Sequence, residues 1–237
     1  MSRRRLATVA ALLGLALCAP ATASADDCAG ADLVPAADNV AVVGQATLCL
    51  LNQQRAQHGV GTLAENTTLT SASAGYSQRM VAQGFFDHDS PDGGTLVDRL
   101  TGVGYLGGDD AWVVGENIGW GQGTLATARS MVSAWMASAG HRENLLSGDY
   151  TEVGLGLALG TPPDHTWGAT YTTDFGAPTR APGRAHPRAR AGAASTMTKT
   201  VKRSPSCARA ASVRRGARSA TSRSSKVCAR TARARRR

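Results

Sequence analysis

The sequence predicts an α+β fold with a small antiparallel sheet, and three observations carry that expectation. The segments with helical or strand character run helix, helix, helix, short strand, helix, strand, strand. Irregular order of this kind favours an antiparallel sheet over a doubly wound parallel one. The apolar positions of the two longest helical segments form stripes at helical spacing, and the last two segments carry strand-type composition. Residues 26–176 are also numerous enough to bury a real core.

Each element has a local reason. Val43, Ala46, Leu50 and the Leu51 to Arg55 step predict a helix over 40–58, with Asp38 or Asn39 at its start and Gly59 at its end. Leu69, Ala72, Tyr76 and Met80 predict a second helix over 67–83, opened by Thr67 or Thr68 and stopped by Gly84. That stripe is a buried face, so Tyr76 and Met80 are core residues. A short helix over 95–103 follows the Pro91-Asp92-Gly93-Gly94 turn. Residues 102–110 read as a loop, 111–114 as a short strand entering a Gly-Glu-Asn-Ile turn, and 124–139 as a helix capped by Thr124. Residues 152–159 alternate large and small side chains. Residues 166–175 are β-branched and aromatic, and 160–165 would be their hairpin loop.

Charge divides the chain into three parts. Residues 1–25 hold three Arg and no acid, residues 26–176 hold 17 acids against five Arg, a net of −12, and residues 177–237 hold 18 Lys or Arg and no acid. The overall net charge of +9 therefore belongs to a tail, and it gives no reason to expect a specific nucleic-acid-binding domain. The first 25 residues read as a signal peptide. Arg3-Arg4-Arg5 precede a short apolar stretch, and Ala23-Ser24-Ala25 is a cleavage site, so export is expected with processing after Ala25. A lipid anchor at Cys18 is the alternative. No later segment is long and apolar enough for a membrane helix. The tail from 177 has almost no large apolar residues and is expected to be disordered. Its charge suits anionic cell-wall polymers. After processing, Cys28, Cys49, Cys207 and Cys228 remain, and local pairing, Cys28 with Cys49 and Cys207 with Cys228, is the simplest of three arrangements.

Three segments present site-type residues: 85–93 with His88, 115–118 with Glu116, and 135–144 with His141. Together with Leu51-Asn52-Gln53-Gln54-Arg55, Tyr150-Thr151-Glu152-Val153-Gly154 and Tyr171-Thr172-Thr173-Asp174-Phe175-Gly176, this ordered set resembles the bacterial branch of the CAP superfamily over about residues 45–176. The resemblance implies a three-layer α-β-α sandwich with a central cleft lined by two His and two acidic residues. His88, Glu116 and His141 match three of the four positions. The second glutamate has no clear match and would fall near Ser138.

Two neutral imidazoles with a carboxylate suit Zn²⁺ or another divalent cation, so His88, His141 and Glu116 are the expected metal ligands, with water completing an open site. Glu116 could instead orient a histidine. A rival reading is an extracellular hydrolase with Ser90, or Ser138, as nucleophile and His88 or His141 as base. No Gly-x-Ser-x-Gly elbow or His-Glu-x-x-His helix accompanies these residues, and Ser90 before Pro91 reads as a turn former. A third reading, implied by the superfamily, is a lipid- or sterol-binding module. The expectation is a secreted binding protein more than an enzyme, taking a metal or small ligand in a cleft of His88, Glu116, His141, Ser90 and Ser138.

Overall fold

The structure is a computed structural model describing residues 28–107, 111–162, 164, 167–179, 198–202, 208–209 and 225–235. The signal segment, Cys18 and Ala25 lie outside them, as does Cys207.

Helix α1 (Val40–Gln57) starts at Asn39 and buries Val43, Ala46, Leu50 and Leu51. After the two-residue strand β1 (Ala64–Glu65), helix α2 (Thr67–Gln83) begins at Asn66, whose side chain accepts from the Thr68 and Leu69 amides. The cap is therefore Asn66, not the threonines after it. Gly84 ends α2 at φ 67°, a left-handed turn that suits glycine. Helix α3 (Leu96–Gly102) opens with a capping box between Thr95 and Asp98. Strand β2 (Ala111–Gly121) is much longer than expected, because Gly115-Glu116-Asn117-Ile118 lies inside it instead of forming a turn. A 3₁₀ turn (Gly123–Ala126) then leads to α4 (Ala128–Ala137), capped by Thr127, and α5 (Ala139–Leu145). The single helix expected over 124–139 is thus broken at both ends, and α5 places His141 on a helix. Strands β3 (Glu152–Leu159) and β4 (Ala169–Thr179) form the expected antiparallel pair.

The tail differs from its expected disorder where it is described. It contributes β5 (Thr198–Lys202), β6 (Ala208–Arg209) and β7 (Ser225–Arg235). Composition counts only the burial that side chains supply. β7 instead pairs its main chain antiparallel to β2 from Trp112 to Gly121, along an edge that would otherwise be open. The sheet order is β1-β3-β4-β2-β7-β5, with β6 on β7. β1 pairs parallel with β3, and the other pairs are antiparallel.

Helices cover both faces of this sheet, giving a three-layer α+β sandwich. On one face α1 and α4 pack Leu51, Met131, Val132 and Trp135 around Tyr171. On the other, α2 and α3 pack Leu69, Leu96 and Leu100 against Trp112 and Val114. The glycines of β3 set the α2 distance: a Cβ on Gly154 or Gly156 would stand 2.1 Å from the main chain of Leu69 or Ser73. Arg55, fully buried, ties α1 to the far end of the domain. Its guanidinium donates to the carbonyls of Gly61, Leu145, Ser147 and Tyr150 at 2.6 to 3.1 Å. Cys28 and Cys49 are bridged as expected. Cys228 is also disulfide-bonded. Among the described residues no helix is long and apolar enough to cross a membrane.

Candidate functional site

Strand alternation sends Glu116 and Asn117 to opposite faces of β2. Glu116 faces the α2/α3 layer and is fully buried. One carboxylate oxygen lies 2.7 Å from His88 Nδ1, and the other accepts from the Arg99 guanidinium at 2.5 Å. Burial alone would raise the Glu116 carboxyl. The charge of Arg99 and the bond to His88 outweigh it and hold the group below the usual range. Arg99 also donates to the His88 carbonyl, 3.0 Å away, and its guanidinium stacks 3.4 Å from the Tyr76 ring centre. Tyr76 in turn donates to the Asp87 carbonyl at 2.7 Å, so α2 and α3 together fix the His88 loop.

Asp174 stands opposite Glu116 on β4 and is equally buried. It accepts from Ser73 Oγ at 2.8 Å. Burial, then the neighbouring Glu116 charge, push its carboxyl well above the ordinary range, which favours the neutral acid.

His141 approaches from the other wall. Its Nδ1 lies 2.7 Å from Ser138 Oγ. Burial lowers the imidazole to about 4; the Cys228 main chain opposes that shift and His88 adds to it. Asn117 donates to the His141 carbonyl at 3.2 Å. Asn144 Nδ2 faces the Glu116 carbonyl, Asn117 Oδ1 and the Arg230 carbonyl at 2.9 to 3.2 Å. The Nε2 atoms of both His88 and His141 are buried and have no hydrogen-bond partner of good geometry.

The structure therefore joins His88 to Glu116, and His141 to Ser138. Ser90 is not drawn in. Its Oγ lies 2.7 Å from Asp92 Oδ1 and 2.9 Å from the Gly94 carbonyl, so its one proton stays within its own turn. Glu143 is exposed, and Asn144 is its inward neighbour. Arg99, Tyr76, Asp174, Asn117 and Asn144 complete the site and were not among the expected site residues. Both asparagines sat inside the segments that carried the resemblance.

A three-ligand metal centre does not fit this donor set. Glu116 commits one oxygen to His88 and the other to Arg99, and the side chain beside His141 Nδ1 is the hydroxyl of Ser138, not a carboxylate. Among the described residues no group of three or more His, Cys, Asp or Glu is placed to hold an ion. The contact at His88 Nδ1 suits Glu116 to orienting that ring. A separate concavity of about 320 Å³ lies between α1, α2 and β3, lined by Val40, Ala41, Gly44, Leu155 and Leu157 among others. None of the site residues lines it.

YkwD of Bacillus subtilis (strain 168), described as an uncharacterized protein, is 36% identical over 109 residues, 45% of this chain and 39% of that protein. YlbC of the same organism, described as an uncharacterized membrane protein, is 34% identical over 110 residues, 46% of this chain and 30% of that protein. The match thus spans well under half of the length of either relative. A solved extracellular protein containing a SCP domain from Bacillus anthracis str. Ames is 28% identical, with a TM-score of 0.47, over 60% of this chain and 43% of that one. The model of the cysteine-rich secretory protein family matches residues 48–171, more than half of the chain, and the chain belongs to that family, CAP.

Proposed function

We propose that this is an extracellular CAP-domain binding protein whose cleft takes its ligand through the Nε2 atoms of His88 and His141. One observation carries the reading: two buried imidazoles are each fixed at Nδ1, by Glu116 and by Ser138, while neither Nε2 has a hydrogen-bond partner of good geometry. Buried polar atoms without partners are rare and point to a missing group. Export is supported by the signal-type N-terminus and the Cys28–Cys49 bridge, which persists in oxidising compartments. Zn²⁺ or another divalent cation would find two imidazole donors here, with water supplying the rest. The test is a calorimetric Zn²⁺ titration of the full chain beside His88→Ala and His141→Ala. Saturable binding lost in both variants supports convergent, reachable imidazoles, since both nitrogens are then needed as donors. Binding that neither substitution alters overturns the reading.

The Ser138–His141 contact favours one second reading, acyl transfer with Ser138 as nucleophile and His141 as base. Hydrolysis of an activated ester that Ser138→Ala abolishes would support it. Equal turnover in both proteins would remove it.

A further inference from the structure

The tail strand lies along the cleft itself. β7 is paired with β2 beside Glu116 and Asn117, and both walls touch it. On the His88 side, Arg230 makes a two-pronged ion pair with Asp89, one arm at 2.6 Å. Cys228 packs with Tyr76, Met80 and Ile118, and Lys226 stands 5.4 Å over the Phe86 ring. On the His141 side, Ala229 meets Gly140, where a Cβ would lie 3.6 Å from its own, and Asn144 reaches the Arg230 carbonyl.

We infer that this cleft is a groove for an extended polypeptide, and that Ser225–Arg235 occupies it as an intramolecular stand-in for an arginine-bearing segment of a partner protein. The inference rests on reading the cleft as a binding site, not on which atoms bind there. Strand addition to an open sheet edge is a recurrent mode of peptide capture, in which main-chain bonds give affinity and alternate side chains give selectivity. The walls read β7 in that way: Ala229 packs against Gly140, and a guanidinium at 230 finds a carboxylate. The segment itself, Ser-Lys-Val-Cys-Ala-Arg-Thr-Ala-Arg-Ala-Arg, is polar and basic, so main-chain pairing and these contacts hold it where a hydrophobic core would otherwise be needed. The body is acidic, with a net of −12 over residues 26–176, which draws basic segments toward it.

The experiment uses the full chain and a fluorescent peptide of residues 225–235 bearing Cys228→Ser. In the chain variant Arg230→Glu, repulsion from Asp89 loosens β7. Amide hydrogen exchange at Asn117–Trp120 should quicken, and the peptide should bind at least tenfold more tightly than to the unaltered chain. Asp89→Lys, added to that variant, should abolish capture. So should placing Arg230→Glu in the peptide. Unchanged exchange in the variant overturns the inference, because the Asp89 contact then does not read the strand. Faster exchange without peptide capture also overturns it, and a strand-exchanged dimer reassigns the edge to a second copy of the chain. Peptide capture without Zn²⁺ binding sustains this inference while removing the imidazole-donor reading above.

Discussion

His141 should make the fold lose stability as the pH falls, and the size of the loss can be worked out. The imidazole sits at about 4 in the folded chain, mainly through burial, against an ordinary 6.5. The unfolded chain therefore binds a proton that the folded chain refuses. The stabilisation is fully present above pH 6.5 and is lost progressively as pH falls from 6.5 toward 4. Between about pH 7.5 and about pH 5 the linkage amounts to roughly 2 kcal/mol, with the folded imidazole still largely neutral at the lower value. Asp174 acts in the opposite sense. Its raised carboxyl contributes stability that is fully present below 3.8 and lost as pH rises toward its folded value. The comparison must therefore be made against His141→Gln, which keeps a polar group near Ser138 and leaves Asp174 in place. Urea unfolding at the two pH values is the assay. The unaltered chain should lose roughly 1 M more in midpoint than the variant, taking a typical urea slope for a domain of this size. A parallel fall in both proteins would refute the assignment of the low value to buried, neutral His141.

Three further outcomes test the scaffold. Gly156→Ala places a methyl 2.1 Å from the Ser73 main chain, which cannot move as a side-chain tip can, so thermal unfolding should show a loss of about 2 kcal/mol or more. Arg55→Met strips the partner from four carbonyls and should cost about 3 to 5 kcal/mol, read from chemical denaturation. Asn66→Ala removes the acceptor for the Thr68 and Leu69 amides and should cost about 1 kcal/mol, with the secondary structure by circular dichroism unchanged.

The elements that the sequence made legible are those whose pattern is local. The α2 stripe of Leu69, Ala72, Tyr76 and Met80, and the alternation of Glu152–Leu159, each record a face that one element buries. The ends of α1 and α2 fall within a residue of expectation because Gly59 and Gly84 punctuate them. Glu116 was misplaced in a turn because glycines flank it at 115 and 119, and glycine ordinarily signals a turn. Here Gly115 is needed in a strand, since a Cβ would stand 2.4 Å from the Tyr150 hydroxyl. The site histidines were visible as residues, and so were Glu116 and Ser138 that fix them, but the groups around Glu116 were not. Arg99 reads as an ordinary helix-surface cation until the fold places Glu116 beside it, and Asp174 reads as one polar residue of an expected strand until the pairing of β4 with β2 sets it opposite Glu116. The tail strand was invisible for a different reason, because its order comes from an edge belonging to another element.

Arg55 sets a constraint on the order in which the chain can mature. It is made early, yet three of its four acceptors, at Leu145, Ser147 and Tyr150, are synthesised some 90 residues later. Until they emerge, a guanidinium on the inner face of α1 has no means of shedding its water, and α1 cannot seal against α4. The amino-terminal half therefore has no finished state of its own to reach. A chain delivered end-first through a narrow conduit would stay open, with the Cys28 and Cys49 thiols accessible to oxidants, until its last helical turn before β3 is through.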